Sequence, residues 1–395
     1  MGCLGSKPLD NTMENLKFIE EATVKKSPGG EPAFRTILLL GAGESGKSTI
    51  AKQIKILYHG GFTAAEAARY KETIHQNVIS SIKTLLEAAA IAGSERELHS
   101  ETLRDHVLAV RASNDRDELT RELGESIKIL WGSGPVRRAW EASSKLQVIE
   151  SAAYFFDDID RLSSEVYYPT NNDILRSRTK TTGINPFQRA VFVPLTVTVK
   201  MHLSCFVSLR LPQHASSSGI SELFFEADGK KYKLIDVGGQ RSERRKWLNT
   251  YAVDEGISAI IYCISMSSFD QLLAEDIRVN RMEEEVELFR QTSNSTWFKD
   301  APTLLLLNKA DLFREKIKRI DLKEKLPHYT GDNNFDEASK FLIDKLTSLK
   351  RNEMKALVTC AMDSEDVVRV VKDATRLSQA NKMMKSSGSQ PSRLA

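Results

Sequence analysis

The sequence is poor in cysteine and carries almost no net charge. Its four cysteines, Cys3, Cys205, Cys263 and Cys360, lack the paired spacing of a disulfide framework or a zinc site, which predicts a reducing compartment. A net charge of +3 over 395 residues, without a stripe of arginine and lysine, argues against a general nucleic-acid-binding protein. Residues 1–10 lack the apolar core of a secretory signal, so none is expected.

The length and the composition predict a folded protein with more than one domain. A chain of 395 residues exceeds what one ordinary core organises, and 41% hydrophobic with 28% charged residues is typical of globular proteins. From about 63 to 168 the apolar residues recur at helical spacing without a convincing strand. Strand-like runs lie on both sides of this stretch, so we predict an α/β domain with a helical domain inserted into it. The expected strands are Thr36–Leu40, Tyr232–Ile235, Ile257–Ile264 and Thr303–Leu307, and the expected helices include 9–26, Ser48–Tyr58 and Leu272–Gln291.

A glycine-rich loop separates the first predicted strand from the helix that follows it. Residues 41–48 read Gly-Ala-Gly-Glu-Ser-Gly-Lys-Ser, which matches the phosphate-binding P-loop in its required context. The backbone N–H groups of such a loop and the N-terminus of the next helix bind phosphate oxygens. We therefore expect Lys47 to contact the β- and γ-phosphates and the Ser48 hydroxyl to bind Mg²⁺.

A second motif predicts that the base of the nucleotide is guanine. Residues 308–311 read Asn-Lys-Ala-Asp and follow an apolar strand. The Asp311 carboxylate can accept hydrogen bonds from guanine N1–H and the 2-amino group, a pair that adenine does not offer. The segment Thr359–Ala361 follows another predicted strand and could supply a backbone N–H to the guanine carbonyl, with Ala361 as the candidate.

Two further segments predict hydrolysis. Residues 236–240 read Asp-Val-Gly-Gly-Gln. Asp236 can hold Mg²⁺ through water, and Gly239 can offer its N–H to the γ-phosphate. Gln240 can orient the attacking water. Arg178 could stabilise charge on the transferring phosphoryl group as an arginine finger in cis, and Thr181 could complete the Mg²⁺ shell.

In these motifs and their order the sequence resembles the α subunit of heterotrimeric G proteins, closest in style to the inhibitory class. The likeness lies in residues 41–49, 174–184, 234–247, 304–313 and 359–363. It implies a Ras-like GTPase domain, with a mostly parallel six-stranded sheet flanked by helices, and an inserted all-α domain. It also implies a molecular switch that hydrolyses GTP to GDP between a G-protein-coupled receptor and an effector. The other implied partners are a G-protein βγ dimer and a GTPase-accelerating protein, and no nucleic acid is expected.

The resemblance also implies roles for single residues. Glu44 would pair with Arg178 across the nucleotide, and the segment 241–247 would order with GTP, which makes Trp247 a fluorescent reporter. Glu150 and Ser151 would line the helical side of the cleft. The whole nucleotide-binding set that the motifs and the resemblance imply is Glu44, Ser45, Gly46, Lys47, Ser48, Thr49, Glu150, Ser151, Leu175, Arg176, Ser177, Arg178, Asp236, Val237, Gly238, Gly239, Gln240, Asn308, Lys309, Ala310, Asp311 and Ala361.

The first residues carry a lipidation pattern. Residues 1–6 read Met-Gly-Cys-Leu-Gly-Ser, which fits myristoylation of Gly2, and Cys3 is a candidate for palmitoylation. Two acyl chains give stable membrane anchoring, and the resemblance implies the cytoplasmic face of the plasma membrane as the place. The predicted domains are a lipidated segment and helix at 1–32, the Ras-like domain at 33–62 and 171–380, the helical domain at 63–170, and a disordered tail at 381–395.

The sequence departs from the family pattern between Thr181 and the segment 236–240. Residues 221–231 look like the expected hairpin, with Asp228 and Gly229 at its turn, but an extra segment, 185–220, precedes them. It is a translated intron or similar artefact, a looped-out insertion, or a membrane-inserting segment. The predicted N-terminal helix is also short, and the C-terminus lacks the usual receptor-binding tail.

These departures leave alternative functions open. One is a nucleotide-holding scaffold whose GTPase cycle is impaired by the extra segment. Another is a P-loop ATPase or kinase, against which residues 308–311 argue.

Overall fold

The computed structural model describes residues 34–93, 101–110, 119–179, 220–244, 247, 256–273, 275–298, 301–326, 328–350 and 354–386. The predicted helix at 9–26, the lipidation residues Gly2 and Cys3, Thr181 and nearly all of 185–220 lie outside these ranges.

Within the described ranges the strands form one six-stranded sheet. The strands are β1 (Arg35–Gly41), β2 (Ile220–Ala227), β3 (Lys230–Val237), β4 (Ile257–Ser265), β5 (Thr303–Asn308) and β6 (Met354–Val358). Their order across the sheet is β2-β3-β1-β4-β5-β6, and only β2 runs antiparallel to its neighbour. The predicted strands and the mostly parallel six-stranded sheet are therefore confirmed.

Helices cover the sheet and build the inserted part of the chain. Those before β2 are α1 (Lys47–His59), α2 (Ala64–Ile91), α3 (Glu101–Ala109), α4 (Arg121–Trp131), α5 (Gly134–Glu141), α6 (Ala152–Asp157), α7 (Ile159–Leu162) and α8 (Asn171–Arg176). Those after β4 are α9 (Arg281–Ser293), α10 (Ala310–Lys316), α11 (Leu322–Lys325), α12 (Phe335–Leu349) and α13 (Ser364–Ser386), with 3₁₀ turns at Ser143–Lys145 and Met266–Asp270.

Strand β1 shows why the sheet lies between two layers of helices. Its alternate residues point to opposite faces: Leu38 and Leu40 join one buried cluster, and Ile37 and Leu39 join the other. All of these side chains are buried because helices cover both faces, as parallel sheets require.

The helices between β1 and β2 have a hydrophobic core of their own. It runs from Ala67 to Ile174 and is centred on residues of α2 and on aromatic side chains such as Phe155 and Phe156. Helix α2 begins with a capping box, in which Thr63 and Glu66 bond to each other's backbone N–H groups. This separate core matches the predicted all-α insertion, while the predicted domain bounds stay a prediction.

The hairpin that leads into β3 has the predicted turn. Asp228 and Gly229 join β2 to β3 and have φ of 51° and 67°. Positive φ at both positions is the geometry for which Asp-Gly is favoured in two-residue hairpins. Ile220 pairs with Val237, so the last residue of the extra segment belongs to the sheet.

Two helix bounds differ from the prediction. The stretch Leu272–Gln291 was expected to be helical throughout, yet the helix starts only at Arg281, because the Asn280 side chain caps it by accepting from Glu283 N–H. The second difference is at the C-terminal end of α13, which continues to Ser386, past the predicted start of the tail at 381. Asn381 there donates to the Ser258 carbonyl at 3.2 Å, a contact with β4 that composition did not reveal.

Among the described residues, no helix combines the length and the apolar character needed to cross a membrane.

Candidate functional site

The largest concentration of predicted site residues lies at one edge of the sheet. The carboxyl ends of β1, β3, β5 and β6 meet there, because parallel strands end on the same side, and ligands of open α/β sheets bind at that edge. A cleft opens between this edge and the helical part of the chain. Of the predicted set, the residues that line it are Glu44, Gly46, Lys47, Ser48, Thr49, Glu150, Ser151, Leu175, Arg176, Ser177, Arg178, Gly238, Gly239, Gln240, Asn308, Lys309, Asp311 and Ala361.

Four predicted residues lie behind the cleft wall. Ser45 is buried and donates to the Ala42 carbonyl at 3.0 Å. Asp236 contacts Ser48, Val237 is part of the hydrophobic core, and the Ala310 N–H donates to the Thr359 carbonyl at 3.1 Å. These four residues support the cleft wall from behind.

The glycine-rich loop wraps tightly around the start of α1. Gly41 and Gly46 have φ of 140° and 97°, which side chains rarely adopt. The buried Lys47 ammonium donates to the carbonyls of Gly41 at 2.9 Å and Ala42 at 2.7 Å. Burial lowers the pKa of Lys47, although the neighbouring carboxylate of Asp236 acts in the opposite direction.

One asparagine ties the glycine-rich loop to the loops that follow β5 and β6, at residues 308–311 and 359–361. Asn308 at the end of β5 donates to the Ser45 carbonyl at 2.9 Å and accepts from the Ala361 N–H at 2.9 Å. The next residue, Lys309, turns the chain with a left-handed φ of 64°, and Asp311 then lines the cleft. The buried Asn308 thus fixes the glycine-rich loop and the loop after β6 relative to each other.

A hydroxyl and a carboxylate meet where a metal ion is expected. Ser48 Oγ donates to Asp236 Oδ2 at 2.8 Å. Asp236 Oδ1 is buried and has no hydrogen-bond partner among the described residues, and burial raises the pKa of this carboxyl group. A cation would satisfy the unpaired oxygen, and Mg²⁺ is usually held by one or two protein oxygens together with substrate phosphates. These residues fit Mg²⁺.

The segment after β3 packs directly on the glycine-rich loop. A Cβ on Gly239 would lie 2.5 Å from the Gly41 carbonyl oxygen and from Lys47 Nζ, so only glycine fits. Arg244 donates to the Gly239 carbonyl at 3.1 Å and pairs with Glu284 at 2.5 Å. These contacts place Gln240 on the cleft wall beside the loop.

The expected pair of Glu44 and Arg178 is present and has a third member. Glu44 forms ion pairs with Arg178 and, at 2.6 Å, with Arg281 of α9. Arg281 also donates to the Gly43 carbonyl at 2.6 Å and lies 3.4 Å from Glu285. Burial raises the pKa of Glu44, but the two guanidinium groups outweigh it, so the pKa is lowered and Glu44 is ionised.

The helical side closes the cleft through Glu150. This carboxylate pairs with Lys309 and accepts from Ser267 at 2.8 Å and from Gln271 at 3.0 Å. Burial raises its pKa, but the charges of Lys309 and Arg281 outweigh burial and lower it to about 2. An ionised Glu150 therefore bridges the two parts of the chain beside the loop after β5.

Several residues of the site escaped sequence reasoning. Four side chains contact residues of the cleft, yet none of them belongs to a motif. They are Arg281, Gln271, Lys52 and Asn77. Arg281 lies 237 positions from its partner Glu44, so no local spacing could reveal the contact. The one sequence signal for Arg281 was its place directly after Asn280, the residue that caps α9.

Comparison with known proteins gives a consistent result. The model of the G-protein alpha subunit family matches residues 14–377. The guanine nucleotide-binding protein G(o) subunit alpha of Caenorhabditis elegans is 36% identical over 97% of this chain and 98% of its own. That of Locusta migratoria has the same identity and coverage. The guanine nucleotide-binding protein subunit alpha of Coprinellus congregatus is 34% identical over 93% of this chain and 94% of its own.

Proposed function

The chain belongs to the G-protein α-subunit family, a family of GTPases that bind guanine nucleotides in G-protein signalling, and from this premise we propose how its cleft works. The observation that carries the proposal is the convergence of four strand ends on one cleft, with Arg178 facing them.

The nucleotide lies along the sheet edge. Its phosphates contact the backbone N–H groups of residues 43–49 and the Lys47 ammonium, which exchanges its loop carbonyls for phosphate oxygens. Its guanine reaches Asp311, with the Ala361 N–H near the guanine carbonyl. Adenine would meet the Asp311 carboxylate without a pair of donors, so an ATPase or kinase is disfavoured.

Mg²⁺ would be held by Ser48 and by Asp236 through water, with Thr181 as a further ligand. When bound, the ion neutralises charge on the phosphate oxygens. The unpaired Asp236 Oδ1 supports this assignment.

Hydrolysis uses Gln240 and Arg178. Gln240 orients a water molecule for in-line attack on the γ-phosphate, and the Gly239 N–H donates to the phosphate. Arg178 neutralises charge that develops on the transferring group, and Glu44 holds its guanidinium at the cleft beforehand. The ion pair with Glu44 preorganises the charge of Arg178, and preorganised charges stabilise a transition state most strongly.

The proposed setting is that of the family. The chain would act at the cytoplasmic face of the plasma membrane, held by lipids on Gly2 and Cys3. It would relay signals from a G-protein-coupled receptor to an effector, with a βγ dimer and a GTPase-accelerating protein as further partners. A scaffold with an impaired GTPase cycle is the second candidate, because the extra segment 185–220 follows Arg178 closely in sequence.

Single-turnover hydrolysis of GTP with Mg²⁺ tests the assigned roles. We expect Gln240→Leu and Arg178→Cys each to slow hydrolysis while GDP binding persists, and the arginine change to cost on the order of 10³-fold or more. The matched controls are Gln291→Leu and Arg121→Cys, which change exposed side chains away from the cleft. Wild-type rates in either cleft variant would remove that residue from the mechanism.

A further inference from the structure

The backbone of Arg178 is held by one side chain of the helical part. Asn77 Nδ2 donates to the Arg178 carbonyl at 3.1 Å, and the Arg178 N–H donates to Asn77 Oδ1 at 2.7 Å. One planar carboxamide thus satisfies both backbone polar groups of the same residue. Only one orientation of the amide gives a donor to the carbonyl and an acceptor to the N–H, so the pair of bonds fixes that orientation.

This contact acts where regular structure provides no support. Residues 177–179 follow the end of α8 and belong neither to a helix nor to a strand. The direction of a side chain depends on the φ and ψ of its own residue, so a backbone without support would let the Arg178 guanidinium adopt several positions. Asn77 therefore does for Arg178 what a neighbouring strand does in a sheet.

Asn77 itself stands on a rigid element. It belongs to α2, which spans Ala64–Ile91, and its neighbours Ile74 and Val78 are 0% and 1% exposed in the helical core. A site built on a packed helix keeps its geometry better than one built on a loop.

The other side of the same segment is held by the Ras-like part. Lys52 of α1 donates to the carbonyls of Ile174 and Ser177, both at 2.8 Å. The backbone that enters Arg178 is therefore fixed by α1, and the backbone of Arg178 itself by α2.

We propose that Asn77 is a positioning residue for GTP hydrolysis, because it fixes the backbone from which the Arg178 side chain reaches the cleft. The inference rests on the catalytic role proposed for Arg178. Asn77 touches no reacting atom and acts through Arg178 alone.

The chemistry of the contact makes asparagine specific. Aspartate has the same shape but no donor, so it would place an oxygen against the Arg178 carbonyl oxygen. Alanine offers neither group. Both changes should therefore release the backbone of Arg178, the first with almost no change in volume.

The test uses the full chain with Asn77→Asp, Asn77→Ala and the control Gln76→Ala, an exposed neighbour on α2. Each is made alone and together with Arg178→Cys, and single-turnover hydrolysis, binding of GTPγS and GDP release are measured. We expect both Asn77 variants to slow hydrolysis roughly tenfold to a hundredfold with GTPγS binding unchanged. In the Arg178→Cys background they should slow it no further, and Gln76→Ala should match the wild type in both backgrounds.

The possible failures are distinguishable. If Arg178→Cys slows hydrolysis and the Asn77 variants do not, the positioning role is wrong and the role of Arg178 stands. Equal slowing by Asn77→Asp in both backgrounds would mean a general structural effect and would also overturn the inference. A wild-type rate in Arg178→Cys would overturn the arginine finger and the positioning role together. If Asn77→Ala does not fold, the isosteric Asn77→Asp decides.

Discussion

The Asp311 side chain lies on the cleft wall, and its contribution to nucleotide binding depends on which base it meets. Asp311 lies in the first turn of α10, after the left-handed turn at Lys309. The thiol of Cys360 is its neighbour: burial and then the charge of Asp311 raise the pKa of Cys360 to about 11. The thiol therefore stays protonated near neutral pH.

The selectivity of the cleft should follow from that one side chain. We expect Asp311→Asn to weaken GDP binding roughly 10²- to 10⁴-fold, because charge-assisted hydrogen bonds to N1–H and the 2-amino group are lost. The same change should improve binding of xanthine nucleotides, whose 2-carbonyl accepts from the new amide N–H. Equilibrium binding of labelled GDP and XDP measures both effects, with the exposed Asp344→Asn as the control. Unchanged GDP binding would show that the base lies elsewhere.

Such residues could be named from the sequence because each belongs to a short motif at a strand end, and all of them line the cleft, while their roles stay predictions. Asp311, Lys47 and Gln240 could be assigned from a few neighbouring letters together with the strand before them. Arg281 and Asn77 could not, because their partners, Glu44 and Arg178, are distant in the chain and meet only once the domains fold.

At the scale of elements, the short helix α8 connects the helical part to the Ras-like part. Its Asp173 is fully buried and accepts from Arg161 in a bidentate pair at 2.8 and 2.9 Å. Tyr154 donates to it at 2.8 Å, and the Thr170 N–H caps the helix through the same carboxylate at 2.9 Å. Burial raises the pKa of Asp173, but these bonds outweigh burial and lower it to about 2.

This network predicts a pH dependence of stability. Because the pKa of Asp173 is lower in the folded state than its usual value near 3.8, its contribution is complete above that value and is lost as the pH falls through about 2. The difference corresponds to about 2 kcal/mol of unfolding free energy. We expect Asp173→Asn to lower stability at neutral pH by roughly this amount or more, and to flatten the acid limb of the curve. Urea unfolding between pH 2 and 7 measures it, and an unchanged acid limb would contradict the assignment.

The bounds of two elements show where prediction from sequence ended. Residues 272–280 have helical spacing of apolar residues, but the cap at Asn280 and the Asp276–Arg278 pair keep residues 275–280 outside the helix. Helix α13 runs past 381 because Asn381 and Gln379 bond to β4 and β3, contacts that outweigh an unfavourable local composition. In both cases tertiary contacts decided what local propensity left open.

At the scale of the whole molecule, the architecture could be predicted from the sequence because strands, loops and helices follow one another in a regular order. The alternation of strands and helices predicted a parallel sheet, and a long helical stretch predicted the insertion. The extra segment 185–220 is the feature that neither the motifs nor the described residues explain. Its last residue, Ile220, pairs with Val237 in the sheet. Removing 185–220 would bring Ile184 into the place of Ile220, so the shortened chain keeps an isoleucine at the start of β2.

The most direct test is single-turnover hydrolysis of GTP by the full chain, 1–395, beside a chain that lacks 185–220. We expect slow but measurable hydrolysis in both, at similar rates, and its loss in Gln240→Leu. Tight GTP binding without hydrolysis in the full chain, with hydrolysis restored in the shortened one, would contradict a working switch and favour the scaffold.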